Sequence, residues 1–160
     1  KFRHALLANR KIISKIQGQI PNENLAPVLT ASKIRIGFIE DSSYGEFAKE
    51  LFPNAIKVGL KDWDTCKTAL SNNKVDAIYR DATEVKKIVY EKPNLSLDFV
   101  PILFDDKIDH ISMYVSSKVN PDLSPMLDFY ITQELGVKTD TEIMEEYECF
   151  FNKNTSRGCN

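Results

Sequence analysis

The sequence predicts an α/β fold, with a mostly parallel open sheet flanked by helices. Three observations carry this. Short apolar segments of strand length alternate with segments of helical period. The segment "KIRIGFI" is apolar on both faces, as a sheet covered by helices on both sides requires. Pro53, Pro93 and Gly136 close three of the helical segments. Such alternation favours a sheet built through right-handed crossovers.

The elements follow in order. Residues 2–20 read as an amphipathic helix, with Phe2, Leu6, Ile13, Ile16 and Ile20 on one stripe and Lys1, Arg3, Arg10, Lys11 and Lys15 around it. Pro21 and Pro27 bracket a loop. "KIRIGFI" is the first strand, and a helix follows from about Ser43 to Phe52. "NAIKVG" is a short strand. A helix over residues 63–72 places Trp63, Cys66 and Leu70 on one face. "KVDAIYR" is the next strand, and a helix over 82–91 uses Val85, Ile88 and Val89. "LDFVPILF" and "DHISMYVSS" read as two further strands. A helix over 122–135 turns Leu123, Leu127, Tyr130 and Ile131 inward. A last helix starts near Thr139, where Thr139 and Glu142 form a capping box, and uses Ile143, Tyr147 and Phe150. The expected organisation is a helix and linker over 1–32, an α/β domain over 33–151 and a loose tail over 152–160.

Composition sets limits on function. The 160 residues carry a net charge of −2 and 42 % hydrophobic residues, enough for a real core. The basic residues are dispersed, so nucleic acid is not an expected partner. No apolar run approaches the roughly 18 residues of a membrane span. The chain begins at Lys1 without a Met or an apolar leader region, and so reads as a processed or excised piece. Cys149 and Cys159 lie close together in a polar tail. In an oxidising compartment they can close a short disulfide loop, leaving Cys66 as a buried thiol; in the cytoplasm all three are plain thiols. No Cys/His spacing forms a metal site, His4 and His110 stand alone, and no cofactor is implied.

The stretch "EDSSYGEF" carries the polar signal. Open α/β sheets bind ligands where the loops leave the carboxyl ends of their strands. Asp41, Ser42, Ser43 and Tyr44 follow one strand and Asp81 ends another, so parallel strands would bring both sets to one edge. A helix start near Ser43 offers unpaired backbone N–H groups and hydroxyls for a polar group. Asp81 offers a carboxylate for an ammonium. Together they suit a small zwitterion such as an amino acid. The purely structural alternatives stand beside this: Ser43 and Glu46 form a capping box, and Asp81 is an N-cap for the next helix.

From Lys33 to about Phe151 the chain resembles the bacterial extracytoplasmic solute-binding proteins of the amino-acid-binding family 3, of periplasmic-binding-protein type 2 fold. The likeness rests on four segments in order: "KIRIGFIEDSSYGEFAKELFPNA", "DWDTCKTALSNNKVDAIYRDATEVKKIV", "IDHISMYVSSKVNPDLSPMLDFYI" and "TEIMEEYECFF". The resemblance implies a periplasmic or extracellular lobe, without enzymatic activity, that binds a small molecule such as an amino acid as part of a transporter or receptor. Some dehydratases share that architecture. It implies that Ser42, Ser43 and Tyr44 line the ligand and that Asp81 holds its α-amino group.

The chain departs from the family in two ways. The arginine of a T-x-x-R turn, which meets the ligand's α-carboxylate there, has no equivalent, and residues 1–32 do not read as the missing lobe. Asp41 stands where glycine is usual, beside Glu40. A like charge at about 4 Å costs roughly 1 kcal/mol in water and about 4 at an effective dielectric of 20. That matches the helix-end contribution of about 0.3–2 kcal/mol. A cationic or neutral ligand is therefore expected over an anionic one. The alternative is a lobe that has lost its ligand and serves in assembly, as a homodimer pairing through the N-terminal stripe.

Overall fold

The computed structural model describes residues 2–19, 25–109, 113–116, 118, 122–136, 138–139 and 142–146. His110, Tyr147, Cys149, Phe150, Cys159 and the tail lie outside them, and with them the choice between a Cys149–Cys159 disulfide and plain thiols. The chain divides into two compact units. One is Arg3–Lys107, and the other runs from Ile108 onward and takes in the first two residues. No helix among the described residues is long and apolar enough to cross a membrane.

The larger unit holds a five-stranded sheet. Its strands are β1 (Phe2–Asn9), β2 (Arg35–Ile39), β3 (Ile56–Leu60), β4 (Ala77–Asp81) and β5 (Phe99–Asp109), in the order β3-β2-β4-β1-β5. The centre is parallel: Ile36 aligns with Ala77 on β4, and Arg35 with Ile56 on β3. β1 joins antiparallel to β4, with Leu6 opposite Tyr79.

Helices cover both faces. On one lie α1 (Arg10–Gln19), α2 (Leu25–Ala31) and α3 (Ser43–Leu51). They enclose a core of Leu6, Ile36, Phe38, Tyr79 and Phe104 with Ile13, Leu29, Ala48 and Phe52. On the other lie α4 (Trp63–Ser71) and α5 (Ala82–Glu91), over Ala5, Leu7 and Ile78. Alternation along each strand sends neighbours into opposite cores, so the buried stretches Ile36–Phe38 of β2 and Ala77–Tyr79 of β4 carry no charged residue. Each fully buried Leu, Ile or Phe here contributes about 1.5–3 kcal/mol. Gly37 lies where β2 passes close between its neighbours, and a Cβ there would meet Leu60 Cδ1 at 3.2 Å.

The first helix differs from expectation. Residues 2–9 form β1, and helix begins only at Arg10. His4 through Ala8 are five consecutive buried residues. A helix on a core buries a stripe, not five residues in a row, whereas a strand held between β4 and β5 buries both sides. Leu6 thus belongs to β1, Ile13 and Ile16 of the expected stripe face the core from α1, and Ile20 lies outside the described residues.

Where the parallel strands begin, Arg35 and Asp76 tie β2 to the entry of β4. Arg35 donates from its backbone N–H and Nε to Asp76 Oδ2 (2.8 and 3.1 Å) and from Nη2 to Oδ1 (2.7 Å). Burial pushes the Asp76 carboxyl up, but its bonds to Arg35 outweigh this and hold it below the usual carboxylate range.

In the smaller unit, α6 (Leu123–Tyr130) continues as a π-helical turn, Ile131–Leu135, and stops at Gly136 with φ 65°. Tyr130 is 52 % exposed rather than turned inward; it lies with Met126 and Phe129 on a face next to the Leu123–Leu127 stripe. Residues 113–116 form no strand, so "DHISMYVSS" contributes to β5 only through Asp109 among the described residues. The capping box at the last helix forms as expected. Glu142 N–H donates to Thr139 Oγ1 at 3.2 Å, and Thr139 N–H to Glu142 Oε2 at 2.7 Å.

Candidate functional site

β2, β3 and β4 run parallel, so all three reach one edge of the sheet at their carboxyl ends, and each leads directly into a helix. The Asp41–Tyr44 turn and Asp81 therefore lie at the same edge. β1 arrives there from the opposite direction, placing His4 opposite Asp81.

Each helix start at this rim has its own cap. Ser42 is the N-cap of α3: its Oγ accepts from Gly45 N–H at 3.2 Å and donates to the Ile39 carbonyl at 2.6 Å. The capping box expected at Ser43 and Glu46 is not formed. The cap sits one residue earlier, and Glu46 pairs with Lys49 at 2.7 Å. Ser43 is the exposed first residue of the helix, its hydroxyl unengaged among the described residues. Asp62 caps α4 through Thr65, accepting from its N–H at 2.8 Å and its hydroxyl at 2.7 Å. Those bonds hold the Asp62 carboxyl below its usual value. Asp81 caps α5, accepting from Glu84 N–H at 2.9 Å.

Asp41 takes φ 55°, the left-handed region that glycine occupies without strain and aspartate tolerates better than most residues. Glu40 folds over β3, where a Cβ on Gly59 would meet its side chain at 3.3 Å. Glycine at 59 thus leaves room for the acidic turn.

Behind the turn lies an aromatic cluster. Tyr44 stands 5.4 Å from His4, 5.7 Å from Tyr79 and 5.9 Å from Phe47, centroid to centroid. His4 is buried and its Nδ1 meets the Tyr79 hydroxyl. A cleft of about 160 Å³ opens beside His4, Phe47 and Tyr79. On the other face Arg80 lies over the Trp63 ring at 5.2 Å and reaches Asp81 at 3.5 Å and Glu84 at 3.8 Å. Thr83, in the first turn of α5, is buried, and its hydroxyl has no hydrogen-bond partner among the described residues.

His4, Asp62, Arg80 and Thr83 were not singled out by their residue patterns. Asp62 carries a readable signal, Asp-x-x-Thr ahead of a helical period. His4 is hidden once the segment is read as helix.

Chemically the rim is acidic. Asp62 and Asp81 occupy the positive ends of α4 and α5, and Asp41 projects beside α3. An anion finds those helix ends already taken by carboxylates. An ammonium or guanidinium finds carboxylates and aromatic rings. No group of three or more metal-ligating side chains occurs among the described residues. A cleft of about 730 Å³ lies elsewhere, between α2, the end of α3 and β5.

No protein-family profile matches the chain, and no curated protein matches it in sequence. Solved structures do. A binding component of an ABC transporter from Wolinella succinogenes, complexed with lysine, matches with a TM-score of 0.61 at 18 % identity, over 92 % of this chain and 57 % of its own. An ancestral arginine-binding protein bound to glutamine matches at 0.59 and 15 % identity, over 94 % and 60 %. An ancestral amino-acid-binding protein, precursor of cyclohexadienyl dehydratase, matches at 0.56 and 14 % identity, over 92 % and 57 %. An ancestral cyclohexadienyl dehydratase itself matches at 0.52 and 14 % identity, over 92 % and 56 %. The chain spans less than two thirds of the length of these proteins and shares their fold, that of the amino-acid-binding solute-binding proteins.

Proposed function

We propose that this chain is a solute-binding lobe of an extracytoplasmic transport or sensing protein, and that it takes an amino-acid-like ligand with a cationic or neutral side chain. The observation that carries the proposal is the shared rim: parallel β2 and β4 deliver the Asp41–Tyr44 turn and Asp81 to one edge. Asp81 meets the α-amino group with its second carboxylate oxygen, exchanging Arg80 for the ligand. The Ser43 hydroxyl and backbone N–H, at the start of α3, meet neutral acceptors. Asp41 and the Tyr44 ring favour a cationic end. No step of this is catalytic; binding is by capture, and closure against the remainder of the protein reports occupancy. Structural neighbours that bind lysine or an arginine-type ligand support this choice of solute.

A second reading has its own support. Ser42 and Asp81 are both engaged as caps, and Arg80 already partners Asp81. A lobe so satisfied serves as an assembly module that has lost its ligand. The two readings separate in one experiment: thermal denaturation with lysine, arginine, glutamine and glutamate in turn. Capture raises the midpoint with lysine, arginine or glutamine, and Asp81→Asn removes the rise. No rise with any of the four, together with dimerisation in sedimentation, sinks the capture reading.

A further inference from the structure

A separate cleft, of about 370 Å³, opens on the face covered by α4 and α5. It lies between the C-terminal halves of these helices, toward the sheet edge opposite Asp41 and Asp81. Leu7 of β1 and Ile78 of β4 form its floor, and Ile88 and Phe99 a wall. α4 lines it with Leu70 and, on the exposed side, with Thr68 and Ser71. Neither hydroxyl has a partner among the described residues.

The charges at the mouth are unequal. Lys67 is paired with Asp64 at 2.6 Å, and Glu91 with Lys87 at 3.9 Å. Lys92 lines the slot, exposed, and has no ion-pair partner among the described residues. A dry floor, two free hydroxyl donors and one unpaired ammonium define a complementary molecule. It has an apolar body and a single negative head, and the cleft volume is that of a small-molecule site. Asp64 and Glu91 also line the cleft, but each already has an ion-pair partner, so among the described lining charges Lys92 is the one left for a ligand, and a neutral hydrocarbon would leave it unused.

We propose that this slot binds a compact amphipathic monocarboxylate, its body laid on Leu7, Ile78 and Phe99 and its carboxylate held by Lys92 with the hydroxyls of Thr68 and Ser71. The site does not depend on the ligand reading of the rim.

The test is titration of the chain with octanoate, followed by amide chemical shifts. Saturable shifts centred on Thr68, Ser71, Lys92 and Phe99 are expected, with octylammonium at least tenfold weaker. Lys92→Glu weakens octanoate tenfold or more, Glu91→Gln strengthens it, and Ser71→Trp fills the slot and abolishes it. Thermal midpoints of the variants check that the fold is kept; Lys92 and Glu91 are surface positions whose exchange leaves it intact. Absence of saturable shifts, equal binding of octylammonium, or indifference to Lys92→Glu overturns the proposal.

Discussion

His4 on β1 stands directly opposite Asp81 on β4. Because β1 is antiparallel to its neighbour, the start of one strand meets the end of the other. This single pair joins the two chemistries of the rim: the aromatic cluster under α3 and the carboxylate that caps α5. Neither residue reaches the other's chemistry through its own helix or loop; the register alone does it.

Two substitutions separate the structural role of Asp81 from the proposed ligand role. Asp81→Asn keeps an acceptor for Glu84 N–H and removes the charge. Asp81→Ala removes both, and lowers stability by about 1 kcal/mol. Denaturant titration should show the loss for alanine and little for asparagine, while both abolish any amino-acid-dependent rise in midpoint. A rise that survives Asp81→Asn would leave Asp81 a cap and nothing more.

At Asp41 the backbone, not the charge, sets stability. With φ at 55°, any Cβ is strained, so Asp41→Gly is expected to exceed Asp41→Ala in stability by about 1 kcal/mol. Equal midpoints for the two variants in urea would show that the turn relaxes out of the left-handed region.

The Arg35–Asp76 pair sets part of the acid sensitivity. The folded state holds the Asp76 carboxyl below its ordinary value, so its contribution is complete above that value and is lost as pH falls through the depressed one. Asp76→Asn should cost about 2 kcal/mol at pH 7. The difference from the parent chain should narrow as pH drops below about 4. A constant difference between pH 7 and pH 3 in urea unfolding would refute the linkage.

Cys66 is fully buried, and burial together with the Asp62 charge pushes its thiol up to about 11. The thiolate is the reactive form. Peptide mapping after iodoacetamide treatment at pH 8 should therefore find Cys66 unmodified in the native chain and modified in denaturant. Labelling of the native chain at the rate of a free thiol would contradict this placement.

Much of the fold was legible because local signals agreed with the tertiary outcome. The helix over Ala82–Glu91 matches its apolar period, and β2 matches "RIGFI". The Thr139–Glu142 box forms as written, since both partners are local. Misreadings arose where a partner distant in sequence decided. "FRHALLAN" fits a helical stripe in isolation, yet pairing with β4 makes it a strand. Ser42, extended at φ −105° and ψ 159°, takes the cap in place of Ser43, and its hydroxyl also donates to the Ile39 carbonyl.

By itself the sequence determined the alternation of strands and helices, the helix starts after the strands, and the identity of the polar residues in the turns. These follow from periodicity and capping, which act over a few neighbouring residues. Tertiary structure alone decided that β1 enters antiparallel, that His4 faces Asp81, and that Arg80 lies across Trp63 beside the cap. Those relationships depend on strand order and register, which are settled by burial across the whole sheet rather than by any one segment.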